Sequence, residues 1–140
     1  LSSAASDVYK RQILGPVRGR TQVEILAGDS FKLGIKPTAK LSGDLDGTPG
    51  VTIIGPKGSV QTKEGVMVAQ RHIHMLPEDA ARLGVHDGQN VSLEVDGIRG
   101  GVLRNTIVRV TSQSGLECHV DTEEANAMGL SSSSRVRIVQ

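Results

Sequence analysis

Arg71-His72-Ile73-His74-Met75, followed after Leu76 by Pro77-Glu78-Asp79-Ala80-Ala81-Arg82-Leu83-Gly84, is the stretch from which the rest of the chain is read. The residues from Val66 to Met75 read as one strand, and in a strand residues i and i+2 share a face. His72 and His74 therefore present two imidazoles side by side, a clamp suited to zinc and similar ions. Two histidines at this spacing also occur on ordinary polar strand faces, so the pair alone does not decide for a metal. Pro77 to Leu83 then reads as a short helix. Pro77 suits its first turn, Glu78 and Asp79 suit the positive end of its dipole, and Gly84 stops it.

That unit recurs. Counting from His74, Leu83 lies nine residues on and Gly84 ten; from Glu24, Leu33 and Gly34 fall at the same offsets, and from His119, Met128 and Gly129 do. An apolar residue follows each glycine: Ile35, Val85 and Leu130. Each unit is a strand ending in a polar residue, a turn, a short helix, then a large apolar residue, glycine and an apolar residue. The glycine is read as a left-handed cap that sends the chain back towards the sheet. Repeated units of this kind pack as small barrels with short helices at the ends. Glu24, His74 and His119 hold equivalent positions. If the units surround one cleft, these three with His72 supply three imidazoles and a carboxylate, a set suited to zinc or another first-row divalent ion. Cys118 has the opposite parity to His119 and reads as a small buried apolar residue. His86, beside Asp87 and Gly88, reads as a surface residue in a turn.

Composition narrows the function. The 16 Lys and Arg nearly balance the 15 Asp and Glu, which gives no electrostatic case for nucleic acid or membrane. With one Phe, one Tyr and no Trp, the composition disfavours stacking on bases, and the core falls to Val, Ile and Leu. One cysteine cannot close an internal disulfide, which suits a cytoplasmic setting. No apolar run approaches the roughly 20 residues that span a bilayer.

Taken in order, Leu1 to Gln12 (LSSAASDVYKRQ) differs in texture from the valine- and glycine-rich chain that begins at Ile13, and reads as a foreign or disordered leader. Ile13 to Ile25 reads as extended, with Arg18, Arg20, Gln22 and Glu24 on one face. Asp29 to Leu33 reads as a helix with Asp29 as its N-cap. Val51–Ile54 and Ser59–Thr62 read as a hairpin around Gly55-Pro56-Lys57-Gly58. Val91–Val95, one or two strands within Ile98–Val110, Leu116–Asp121 and Arg135–Val139 complete the strands. Thr122–Met128 reads as the third helix.

The segments RTQVEI, LGIKP, SGDLDGTPGVTIIGPKGSV, EGVMVAQRHIHMLPEDAARLGVHDGQ and LECHVDTEEANAMGL resemble the phosphate propanoyltransferases, phosphotransacylases of the propanediol-utilisation type often found in bacterial microcompartments. The resemblance runs from Ile13 to the carboxyl end. It implies a mainly β fold of two small β-barrel domains capped by short α-helices, here 13–69 and 70–140, with two zinc ions between them. It also implies exchange of a short acyl group, propanoyl above all, between coenzyme A and inorganic phosphate, so that the partners are acyl-CoA, coenzyme A, phosphate and acyl phosphate. Glu24, His72, His74 and His119 are then metal ligands. Arg18, Gln22, Ser42 and Arg109 line the phosphate and acyl pocket, and Leu14 and Asn126 lie near coenzyme A. A homo-oligomer, and a cytoplasmic location extending to the microcompartment, belong to the same expectation. The family carries a further His-x-His segment that this chain lacks. The expectation is therefore a first barrel with its amino-terminal strand missing, one largely complete metal site, and a chain that alone is inactive or crippled. A zinc-dependent acyl-CoA hydrolase and a non-catalytic metal-binding barrel module remain as alternatives.

Overall fold

A computed structural model describes residues 13–15, 17–36 and 38–139. The leader expected at 1–12 lies outside the described residues. The chain divides into two compact units, 1–69 and 70–140. Among the described residues it is mainly β, with three short helices.

The first unit contains β1 (Val23–Ile25), α1 (Ala27–Leu33), β2 (Ala39–Lys40), β3 (Thr52–Gly55), β4 (Gly58–Gln61) and β5 (Val66–Ala69). β5 is the middle strand of a three-stranded sheet, with β1 and β2 both parallel to it. Its sequence, Val-Met-Val-Ala, is apolar without alternation, as a strand covered on both faces requires, and Val66, Met67 and Val68 are all buried. Ile25, Val66 and Val68 form the core here, with Val23, Ala27, Ile35 and Val51 packed against them. β3 and β4 form the expected antiparallel hairpin in the expected register, with Ile53 opposite Val60, each strand lying one residue nearer the turn than the sequence reading.

The second unit contains β6 (His72–Met75), α2 (Pro77–Leu83), β7 (Asn90–Val95), β8 (Gly101–Val110), β9 (Glu117–His119), α3 (Thr122–Met128) and β10 (Arg137–Val139). Its curled five-stranded sheet has the order β10-β7-β8-β6-β9. β6 runs parallel to β8 and antiparallel to β9. β7 alternates cleanly: Val91, Leu93 and Val95 face in, and Asn90, Ser92 and Glu94 face out. Ile73, Met75, Ala80, Val85, Val91, Leu93 and Val108 make one buried cluster.

The repeat is exact at the level of elements. Each helix has seven residues and begins three residues after Glu24, His74 or His119. Each ends on a left-handed glycine: Gly34, Gly84 and Gly129 have φ of 65°, 67° and 65°. The following amide donates back to the carbonyl five residues earlier, Ile35 to Ser30 at 3.1 Å, Val85 to Ala80 at 3.0 Å and Leu130 to Ala125 at 2.8 Å. The glycine amide bonds the carbonyl three residues before it. This doubled bond is the Schellman turn, and it delivers Ile35 and Val85 into their cores.

Three sequence expectations are corrected. Val66–Met75 is two strands in two different sheets, interrupted at Gln70-Arg71. α1 starts at Ala27 with Leu26 as its N-cap, and Asp29 stands in the first turn. The extended row from Arg18 to Glu24 enters a strand only at Val23.

Thr106 is fully buried beside Val108, and its hydroxyl has no hydrogen-bond partner among the described residues. A buried hydroxyl without a partner costs free energy that an isosteric methyl does not. Thr106→Val is expected to raise the stability of the chain by about 1 kcal/mol, and Leu93→Ala, at a fully buried site, to lower it by about 2–5 kcal/mol. Thermal and urea unfolding of the two variants measures both; a Thr106→Val variant less stable than wild type would contradict the burial argument.

Candidate metal centre

β6 sets the geometry. Ile73 and Met75 are buried, so His72 and His74 take the opposite face, where both are partly exposed. The antiparallel register pairs His72 with His119 and His74 with Glu117. Directly opposed residues share a face, so His119 and Glu117 stand with the two histidines. The parallel register with β8 places Arg109 beside His74 on the other flank. The three imidazole rings lie 4.8, 4.9 and 5.0 Å apart, centroid to centroid. His72 and His119 are stacked 24° from parallel, and His74 is edge-on to both.

One nitrogen from each of the three lies within 4.8 Å of the others, the arrangement that can hold a metal ion. A tetrahedral ion with nitrogen ligands at about 2.0–2.1 Å holds them about 3.4 Å apart. His72 and His74 are partly exposed and His119 is exposed, so the rings have room to turn towards one ion. The donor chemistry fits as well. His72 Nδ1 is 2.9 Å from the Gln70 carbonyl, which can only accept, so Nδ1–H donates and Nε2 is left to coordinate. Burial lowers the His74 pKa, assisted by His72, His119 and Arg109 and opposed by Glu117, which favours the neutral, coordinating form. His74 Nδ1 faces Ser114 Oγ at 3.5 Å, and His119 Nε2 is 3.4 Å from Glu117 Oε2. Three imidazoles leave at least one position of a four-coordinate ion for another ligand.

Cys118 pairs with Ile73 in the register and packs against the core, off the histidine face. Burial raises its thiol pKa, with Glu124 adding to the effect and Arg71 opposing it. His86 is exposed in its turn, its ring against the Asp87 carbonyl.

The first unit gathers a polar network of its own. Arg18 Nη1 donates to Ser42 Oγ at 2.8 Å. Gln22 Nε2 donates to Glu24 Oε1 at 2.7 Å and to Ser42 Oγ at 3.0 Å, while Gln22 Oε1 accepts from the Gly43 amide at 2.8 Å. Arg18, Gln22, Ser42 and Glu24 are thus brought together. Arg20 is not part of this set. Its guanidinium bridges Asp46 at 2.9 Å and Glu64 at 2.5 Å, and those carboxylates, Glu64 first, raise its pKa further. Leu14 is exposed. Asn126 is exposed on α3, and its carbonyl accepts the Gly129 amide.

Two neighbours of the cluster escaped the sequence reading. Glu117 had a signal, since Glu-x-His in a strand puts both on one face. Ser114, in the loop after β8, had none.

A family model described as phosphate propanoyltransferase matches residues 1–131. The chain belongs to the phosphate propanoyltransferase family. The match runs through Leu1 to Gln12. The phosphate propanoyltransferase of Rhodobacter capsulatus is 51% identical over 138 residues, covering 99% of this chain and 64% of that protein. Those of Rhodopseudomonas palustris and Thermotoga maritima are 50% and 48% identical, covering 99% and 92% of this chain and 61% and 62% of theirs. The chain thus spans a little under two thirds of the length of these relatives. Among the described residues no helix is long and apolar enough to cross a membrane.

Cobalt(II) is a visible probe of this centre. The metal-stripped chain is expected to take up one cobalt ion with d–d absorption bands. His74→Ala is expected to abolish them, and Cys118→Ala to leave them unchanged. Loss of the bands in Cys118→Ala would show that the wrong face had been identified.

Proposed function

We propose that the chain acts in a zinc-dependent exchange of a short acyl group, propanoyl above all, between coenzyme A and inorganic phosphate. The observation that carries the reading is the three-histidine cluster on one strand face of a chain in this family. His72, His74 and His119 hold the zinc. Glu24, at the equivalent repeat position in the first unit, is a carboxylate ligand for a second ion, oriented by its bond from Gln22. Bound zinc supplies a Lewis acid for the thioester carbonyl oxygen and the departing thiolate.

The chain's own groups suit the rest of the task. Arg18 and Ser42 already bond to each other, so a guanidinium and a hydroxyl are aimed at one point where a phosphate oxygen can replace that bond. Gln22 holds Ser42 in place from the other side. Arg109, beside His74, offers a second guanidinium for an anion at the metal face. Leu14 and Asn126 are assigned to coenzyme A on the family resemblance. A phosphate oxygen attacks the thioester carbon, the carbon–sulfur bond breaks, and coenzyme A leaves as the thiolate. No acyl-enzyme is invoked, because Cys118 is turned onto the core with its thiol held protonated by burial. A cytoplasmic location reaching into a bacterial microcompartment, with a homo-oligomer, follows the family resemblance.

The test is release of coenzyme A from propanoyl-CoA by the zinc-loaded chain at rising phosphate, followed with a thiol reagent. Release that requires phosphate, and that Arg18→Ala lowers at least tenfold, is expected. Release without phosphate would identify a hydrolase. A chain that holds zinc but releases no coenzyme A at any phosphate concentration would be inactive on its own, the outcome expected if the segment carrying the further His-x-His is required.

A further inference from the structure

The two strands that carry the histidines are tied together at their ends by a second set of groups that no metal or substrate needs. Arg71 immediately precedes His72. Its guanidinium donates to Glu124 Oε1 from Nε at 2.7 Å, and Nη2 lies 2.6 Å from the same oxygen. Both side chains are largely buried, at 25% and 19% exposure, where an ion pair holds its geometry far better than one in open water. Glu124 is also the third helical residue of α3. Its Oε2 accepts the Asp121 amide at 3.1 Å, and its own amide donates to Asp121 Oδ1 at 2.7 Å, closing a capping box. Asp121 lies two residues after His119. One carboxylate therefore fixes the turn that leaves His119 and, through Arg71, the residue that leads into His72.

The other end of the tie is a β-bulge. Val91 pairs with Thr106 and Leu93 with Leu103, so Arg104 and Asn105 of β8 stand opposite Ser92 alone. Asn105 takes a left-handed φ of 58° to make the bulge. The carbonyls of Arg104 and Asn105 accept from Arg71 Nη1 and Gln70 Nε2. The Gln70 carbonyl in turn orients His72 through Nδ1.

We propose that Arg71 and Glu124 are positioning residues for the metal centre, locking β6 against the α3 cap and the β8 bulge so that His72 and His119 face each other. The inference rests on the metal reading above and adds the outer ring that sets the ligands' spacing. Groups that orient metal-ligating histidines commonly change metal affinity by about 10–100-fold when removed. Arg71 and Glu124 act one step further out, through backbone.

The experiment compares zinc affinity, by competition with a chromophoric chelator, and the cobalt spectrum of wild type, Glu124→Gln and Arg71→Lys. Glutamine keeps the capping box but not the ion pair. Lysine keeps the charge but cannot serve Glu124 and the Arg104 carbonyl as a fork. Arg137→Gln is the control, since it breaks the exposed pair with Glu94 in the same sheet. Zinc affinity is expected to fall about tenfold or more in Glu124→Gln and several-fold in Arg71→Lys, with altered cobalt bands, and to stay within twofold in Arg137→Gln. Thermal unfolding of the metal-free proteins separates a mere loss of stability, which would leave the spectrum of the folded protein unmoved. Wild-type affinity and bands in Glu124→Gln would overturn the inference while leaving the metal reading standing. If Glu124→Gln does not fold, Arg71→Lys is judged by the same criterion. A wild-type chain that binds neither ion would overturn both.

Discussion

A left-handed glycine one residue past a seven-residue helix is the constraint on which this architecture depends. Without a Cβ, Gly34, Gly84 and Gly129 take φ near 65° at little cost. The two amides just past each helix then close on its last carbonyls. The turn reverses the chain within a fixed number of residues. The offset from the strand's polar residue to the returning apolar residue is therefore the same three times. In the second unit the return carries Val85 into the cluster around Ile73, Met75 and Leu93, and it is this cluster that fixes the parity of β6. With Ile73 and Met75 turned in, His72 and His74 must turn out. Core packing on one face thereby determines chemistry on the other.

Much of this is legible in the sequence. A glycine cap, a proline at the first helical position and a capping box are local signals, and α2 and α3 carry them: Pro77 and Gly84 for one, Asp121, Glu124 and Gly129 for the other. Their ends coincide with the sequence reading. α1 reads two residues short because Leu26 offers no side-chain cap and Gly28 is a poor helix former, whereas Asp29 has the chemistry of a cap without occupying its position. Gln70-Arg71 reads as continuous strand because neither residue breaks a strand locally. What separates β5 from β6 there is tertiary: both side chains reach the carbonyls of the β8 bulge, a feature that Asn105 does not announce.

The candidate site divides in the same way. The parity of His72 and His74 follows from the strand period, and the equivalence of His119 from the repeat. That β9 lies against β6, with His119 facing His72, depends on strand order, which no local pattern specifies. The isolation of Cys118 follows from its parity, and its contact with the core agrees. Arg18 and Arg20 look alike in sequence. Only the positions of Ser42, Asp46 and Glu64 separate the arginine that holds a hydroxyl from the one held by two carboxylates.

The central claim is that three histidines, placed by one repeat and one strand pairing, form a single metal centre. X-ray absorption at the zinc edge of the chain loaded with one equivalent of zinc tests it most directly. The account predicts a first coordination sphere of nitrogen and oxygen at about 2.0–2.1 Å, with the outer-shell scattering of about three imidazole rings and no sulfur. A zinc–sulfur distance of about 2.3 Å, or a sphere without imidazole scattering, would contradict it.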